Sequence, residues 1–387
     1  MHVGAGHSNE ANGIDAVQAA LSQALNGKIN PDVVFMFLTY HHMNRASDII
    51  HEVIQSTHTD LVIGCSGMGV VTDARENDRE PGVAILALSS DQLEAVPFFV
   101  QGGQAGIQIG ESILPYLTDQ AILILIPGLH VNPKEVMRQI VDVAGYVPIV
   151  GGMASGNPWT HEAPRTLQWC GNQIAEDAVV GVLLTGIRVA MGVAQGCQPF
   201  GQAYAVTQVA GNVIQQLAFM PAIDAVKEAL DTLSLEEKSN LRNNIFIGLA
   251  MDEYAIERSR GDFLIRSLIG IDEKMGAIAV NEHVSVGQTV QFNRRTPDAA
   301  HEDIVQVMKH LKMKVGPANN MCGLYFNCLG RGFGLYGQPD HDVLVMRKHL
   351  GVFPMAGFFG NSELAPVGRQ NFVHTYTGVL TLLWDED

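Results

Sequence analysis

Apolar residues along this chain fall into two rhythms, short continuous runs and helical three-four spacings, and the two alternate. "ANGIDAVQAALSQALNG" sets Ile14, Val17, Leu21 and Leu25 on one helical face and closes on Gly27. "PDVVFMFLTY" is apolar throughout, as in a buried strand. "RASDIIHEVIQ" then predicts a helix with Ile49 and Val53 on one face and Ile50 and Ile54 beside them. "DLVIGCSGMGVV" predicts a strand entering a glycine turn, and "GVAILALSS" another strand.

The same order returns twice. "AILILIPG" is followed by the helix "NPKEVMRQIVDVAG", with Asn132 as cap and Pro133 in the first turn, and then by "VPIVGGMASG" and "DAVVGVLLTG". Near the end come "CGLYFNCLG", the helix "PDHDVLVMRKHLG", "FPMAGFFGNSELAPVG" and "TGVLTLL". Phe37 to Gly64 and Ile124 to Gly151 are each separated by 27 positions, and Phe326 to Gly357 by 31. The pattern predicts one strand–helix–strand–glycine turn–strand unit used three times, with Gly64 and Gly67 answering Gly357 and Gly360. Its period is too irregular for a solenoid.

The middle of the chain differs. "NVIQQLAFMPAIDAVKEAL" reads as helical around Pro221, and "GDFLIRSLIGIDEKMGAIAV" as two strands. "HEDIVQVMKHLKM" reads as an amphipathic helix with Ile304, Val307, Met308 and Leu311 on one face. The charge-rich "SLEEKSNLRNN" is expected to be an exposed connection. The resulting fold class is α/β, with mixed sheets flanked by helices in two related domains, residues 1–219 and 220–387.

Composition narrows the function. With 387 residues and 47% hydrophobic content the chain can bury a sizeable core. A net charge of −16 without clustered Lys or Arg argues against nucleic acid as a partner. Cys65, Cys170, Cys197, Cys322 and Cys328 lack framework spacing, as expected of a reduced, cytoplasmic chain. The N-terminus does not read as a signal peptide, and no apolar run reaches the length of a membrane span, so no membrane insertion is expected.

Few motifs carry chemistry. "GFGLYG", Gly332 to Gly337, spells G-x-G-x-x-G, but the next strand ends at "AGFFG" without an acidic residue for a ribose, so a plain turn is expected. The histidines are scattered, and His41 and His42, if in a strand, would face opposite sides; no metal and no cofactor is expected. Cys65 and Cys328 sit near strand ends, where a thiol with a neighbouring base or positive charge could act as nucleophile. Asn361 and Glu363, with Arg331 and Arg266, are the polar residues placed near a ligand, since Arg grips a carboxylate through paired hydrogen bonds. Cys328 and the glycines Gly64, Gly67, Gly357 and Gly360 complete the candidate site.

In this order "VGAGHSN", "PDVVFMF", "LVIGCSGMGVV", "IVGGMASG" and "GVAQGCQPFG", then "MPAIDAV", "GDFLIRSLIGID", "NCLGRG" and "AGFFGNSELAPVG", resemble the FIST family, an N-terminal and a C-terminal FIST domain in tandem. Ser362 stands before Glu363 where the family pattern has a Gly-Glu pair, and Val70 stands where an acidic residue is common. Both departures count against a matched pair of carboxylates. The resemblance implies a stand-alone sensory module for a small ligand, amino acids or their derivatives, signalling through a separate protein partner. No catalytic residue is assigned. The alternatives are an enzyme using Cys328 or Glu363, and a protein-interaction scaffold.

Overall fold

The computed structural model describes residues 1–27, 30–157, 164–241, 245–252, 261–316 and 320–385. The chain forms two compact units: one holds Met1–Val193, Val305–Val373 and Thr377–Asp387, and the other Ala194–Ile304 with His374–Tyr376.

The first unit is the expected repeat, used three times. Val33–Thr39 runs parallel to Val62–Gly67 across the helix Ala46–Thr57. Ile122–Pro127 pairs likewise with Ile149–Gly152 across Pro133–Ala144, and Cys322–Cys328 with Met355–Gly360 across His341–Leu350. Each pair gains an antiparallel third strand, Val83–Ser89, Val179–Thr185 or Gly378–Trp384. An outer strand, His2–Ser8, Glu94–Val100 or Arg188–Ala194, follows that one in each six-stranded sheet.

The remaining two strands of every sheet come from another repeat. The hairpin after the first repeat's glycine turn, Val70–Thr72 and Glu76–Asn77, pairs with the third repeat. The second repeat's hairpin, Gln168–Cys170 and Gln173–Ala175, pairs with the first, and the third repeat's, Glu363–Val367 and Gln370–His374, with the second. The exchange is cyclic, so each repeat is completed by the one before or after it.

Alternation along the strands then divides the core. Val33, Phe35 and Phe37 face a central cluster that also takes Ile122, Ile124 and Ile126 from the second repeat and Cys322, Leu324 and Phe326 from the third. Val34, Met36 and Leu38 face the helices Gly13–Leu25 and Ala46–Thr57 instead. Both faces of each strand are therefore covered, which is why these segments are apolar without interruption. Gly64, Gly151 and Gly357 occupy one equivalent position. A Cβ there would lie 1.7, 1.8 and 1.8 Å from the carbonyl oxygens of Met36, Leu125 and Tyr325, so only glycine allows the strands to approach.

The second unit is a closed antiparallel barrel of six strands. Its order is Cys197–Ala210, Thr289–Arg295, Ile245–Ala250, Phe263–Asp272, Ala277–Val280 and Val213–Leu217, which returns to the first. Phe200, Tyr204, Ile247, Val290 and Phe292 fill it together with Ala222, Ala225 and Ala229 of the helix Ala222–Asp231.

Two expectations change here. The helix placed around Pro221 begins only at Ala222; "VIQQL" is instead the strand that closes the barrel, so barrel pairing overrides its helical spacing. The connection expected over "SLEEKSNLRNN" contains a helix, Leu235–Leu241, and Arg242–Asn244 lie outside the described residues. A capping box explains the helix: the Glu237 amide donates to Ser234 Oγ at 3.2 Å, and the Ser234 amide to Glu237 Oε2 at 2.8 Å. Among the described residues no helix is long and apolar enough to cross a membrane.

Candidate functional site

Parallel strands end together, and in the first unit those ends collect polar chemistry. Thr39, Gly67 and Cys328 are the last residues of three such strands, and Tyr40, Met68 and Leu329 follow them. These three residues, with Asp78, Arg79, Gly330, Arg331 and Gly334, line a cleft of about 680 Å³. The carboxyl ends of parallel strands are where open α/β sheets present ligand crevices. Arg79 lies 3.6 Å over the Phe333 ring, and Asp78 accepts the Phe333 amide at 3.1 Å. An exposed guanidinium and a carboxylate 3.7 Å from it thus stand beside an apolar wall of Met68 and Leu329.

Three carboxyl groups, Glu363, Asp342 and Glu76, are buried in the same unit. Glu363 is wholly buried, and its Oε2 accepts the Thr377 amide at 3.1 Å and the Thr377 hydroxyl at 2.6 Å. Among the described residues its Oε1 makes no conventional hydrogen bond. Burial pushes this carboxyl up to about 8; the Thr377 bonds, the Arg331 charge and the nearby Cys328 thiol offset the burial only in part.

Asp342 sits in the opposite situation. Arg331 Nε and one terminal nitrogen reach its two oxygens at 2.9 and 3.1 Å, and Tyr325 and His341 add bonds of 2.8 and 3.0 Å. Burial alone would raise this carboxyl, but the Arg331 charge and the bonds from His341 and Arg331 hold it below the usual carboxylate range. Glu76, from the swapped hairpin, accepts the Val343 amide at 3.0 Å in the first turn of the helix His341–Leu350. Burial, and then the Asp342 charge, drives the Glu76 carboxyl up.

The residues singled out from sequence therefore separate. Cys328, Glu363 and Arg331 come together. The fork of Arg331 grips Asp342, where the sequence had assigned it to a ligand anion, and the side chain is wholly buried. Asn361 is exposed, and its backbone N–H donates to the Met153 carbonyl at 3.0 Å. Gly67 and Gly360 are the last residues of their strands, and the two strand ends adjoin: the Phe359 amide reaches the Gly69 carbonyl at 2.9 Å, and Ser155 bridges the Met68 amide at 2.8 Å to the Phe359 carbonyl. Gly64 and Gly357 are strand-interior packing positions. Arg266 belongs to the barrel, where it pairs with Glu282 at 2.9 Å. Cys65 is buried, which raises its thiol well above its ordinary value and away from nucleophile chemistry. Tyr40, Asp78, Arg79 and Thr377 were not singled out from the sequence, because only the swapped hairpin and the strand order bring them to this end of the unit.

This three-repeat unit and barrel define an α/β protein with a small-molecule-sized cleft. The FIST N domain model matches residues 32–218 and the FIST C domain model residues 222–366. The chain belongs to the FIST family. The family boundary runs through the barrel, since Cys197–Ala210 and Val213–Leu217 fall in the FIST N match and the other four strands in the FIST C match. Uncharacterized relatives include a Mycobacterium tuberculosis protein, 31% identical over 361 residues and 92% of both chains. Another, from Mycobacterium bovis, is 29% identical over the full length of both. Human F-box only protein 22 is 30% identical over 124 residues, 27% of each chain. A crystal structure of cyanuric acid hydrolase from A. caulinodans aligns over 47% of this chain and 70% of that one, with 12% identity and a TM-score of 0.27, a likeness too slight to bear on the fold.

Proposed function

We propose that this protein is a sensory module that binds a small ligand in the cleft between Tyr40, Met68, Arg79 and Leu329. The observation that carries this reading is the cleft itself. Its volume of about 680 Å³ suits a metabolite, and it sets one cation and one carboxylate beside an apolar wall. Such lining favours a compact molecule with both charges and an apolar portion, as in amino acids and their derivatives. Arg79 would hold the ligand's carboxylate, since its guanidinium is exposed while that of Arg331 is engaged by Asp342. Signalling would then pass to a separate protein partner that distinguishes the occupied from the empty state, by no more than the difference in ligand affinity between them.

Native mass spectrometry of freshly purified protein, followed by a thermal-shift screen of amino acids and related metabolites, tests the reading. A retained small molecule, or a compound that raises Tm in proportion to the logarithm of its concentration, is the expected result. A screen without a single stabilising compound at millimolar concentration would sink it.

A further inference from the structure

The three repeats solve one local problem in three ways. At the end of each first strand a backbone amide donates to the residue just before the third strand. Thr39 donates to Gly82 at 2.9 Å, Gly128 to Ala178 at 2.8 Å, and Cys328 to Thr377 at 2.9 Å. The returning amides of Gly82, Ala178 and Thr377 each need an acceptor in a buried place. Thr39 Oγ1 takes the first at 2.9 Å, Gln168 Oε1 the second at 3.0 Å, and Glu363 Oε2 the third at 3.1 Å. Register confirms the equivalence: Val70, Gln168 and Glu363 stand opposite Phe358, Cys65 and Gly152, the residues after the three crowded glycines.

Two repeats do this with neutral groups, so the fold requires only an acceptor. Glu363 brings more than that: a second oxygen that is buried and makes no conventional hydrogen bond among the described residues, and an exchangeable proton. The groups acting on it are the Cys328 thiol on the first strand, the Thr377 hydroxyl before the third, and the Arg331 guanidinium in the turn. Gly152, opposite it on the neighbouring strand, adds no titratable group. Arg331 is itself bound to Asp342, whose other neighbours are His341, Tyr325 and Glu76.

We propose that Glu363, with Cys328 and Thr377, is a proton-exchange site of the third repeat, of which the other two repeats hold inert versions, and that its protonation is coupled to the seating of Leu329–Arg331 at the cleft wall. In the neutral form Oε1 carries the proton while Oε2 accepts from Thr377. Loss of the proton to solvent leaves a buried carboxylate whose charge draws on the Arg331 guanidinium. Leu329, Gly330 and Arg331 are consecutive and line the cleft, and the Leu329 amide is tied to the Gly360 carbonyl at 2.9 Å. The burial that pushes Glu363 to about 8 puts this exchange within the physiological range.

Isotope-edited infrared titration of protein labelled with 13C-glutamate reads the site directly, on the ligand-free chain and so independently of the ligand reading. Between about pH 6 and pH 9 the wild type is expected to lose the signal of a protonated carboxyl. Because Glu76 is a second raised glutamate, Glu76→Gln serves as the control: it should keep the Glu363 signal, and Glu363→Gln should lose it. Amide exchange at Thr377 and Leu329, corrected for intrinsic pH dependence, should change across the same range in wild type and stay flat in Glu363→Gln. A wild type without a protonated glutamate above about pH 6, or a signal in Glu76→Gln that survives the further change Glu363→Gln, overturns the proposal. If Glu363→Gln does not fold, loss of the whole signal in Glu76→Gln overturns it equally.

Discussion

Gln168 and Glu363 hold the same place in different repeats, each accepting through a side-chain oxygen the amide just before its repeat's third strand, at 3.0 and 3.1 Å. The amide does so as a neutral group with its nitrogen bonded to Thr166 Oγ1 at 2.9 Å. The carboxyl does so with one oxygen to spare. The internal repeat thus provides its own reference for what the backbone needs at this corner.

Stability against pH should report the difference. The Glu363 carboxyl rises from an ordinary 4.5 to about 8 on folding, so the folded chain holds a proton that the unfolded chain releases. Its contribution is fully present below about pH 4.5 and falls by about 1.4 kcal/mol per pH unit until about pH 8. Glu363→Gln removes that loss. It should match wild type near pH 5 and exceed it by roughly 3 kcal/mol near pH 8 in urea denaturation. A difference that does not vary with pH would show that Glu363 folds already ionised.

The Arg331–Asp342 pair predicts the opposite response to removal of a charge. Both side chains are wholly buried, so Asp342→Asn leaves the guanidinium without its counter-charge. The expected cost is about 3–5 kcal/mol, measured as a lower urea midpoint with the slope unchanged. Replacing both residues by apolar ones of similar size should cost clearly less than that single substitution. A loss below about 1 kcal/mol for Asp342→Asn would contradict the pairing.

Gly64, Gly151 and Gly357 should fail alike. A methyl at any of them meets a neighbouring carbonyl oxygen within 1.8 Å, and strand backbone cannot move aside cheaply. Each Gly→Ala variant should lose about 2 kcal/mol or more, whereas Gly103→Ala, with open space around it, should stay within about 0.5 kcal/mol. Equal behaviour of all four in thermal unfolding would remove the close-approach argument.

Much of the first unit was legible in the sequence because its signals are local. Continuous apolar runs, Asn132 followed by Pro133, and glycines at matching spacing each act within a few residues of themselves. The barrel was less legible, since "VIQQL" becomes a strand only through partners far along the chain. The site was read in part for the same reason. Cys328, Arg331 and Glu363 stand out by residue type and glycine-rich setting, but Asp342 and Thr377 are ordinary in sequence, and only topology shows that they hold Arg331 and Glu363. Arg79 enters the cleft just after a hairpin that pairs with a strand from the opposite end of the chain.

Arg79 is the residue to change for ligand binding. Its side chain is 60% exposed, so Arg79→Ala should leave the unliganded Tm nearly unchanged. The Kd of any compound found by thermal shift should weaken roughly tenfold or more, the loss expected when a guanidinium–carboxylate contact is removed. Unaltered affinity in calorimetry would place the ligand elsewhere than this cleft.

The strongest test of the repeat is to move one corner into another. Val70 stands where Glu363 stands, Thr39 where Cys328 stands, and Gly82 where Thr377 stands; a Cβ on Gly82 would come within 2.9 Å of Val70 Cγ2. The first repeat therefore fits its valine only because the facing residue is glycine. Glu363→Val alone should cost about 1–3 kcal/mol, because it strands the buried Thr377 amide and hydroxyl. Adding Cys328→Thr restores an acceptor for the amide but crowds the new valine against Thr377. Adding Thr377→Gly as well relieves that crowding and rebuilds the whole first-repeat corner. The triple variant should accordingly be more stable than the double variant by about 1–3 kcal/mol, although it contains one more substitution and an added glycine. Denaturation of the two variants side by side decides the matter, and a triple variant weaker than the double would mean that the three corners are alike in hydrogen bonding only, not in packing.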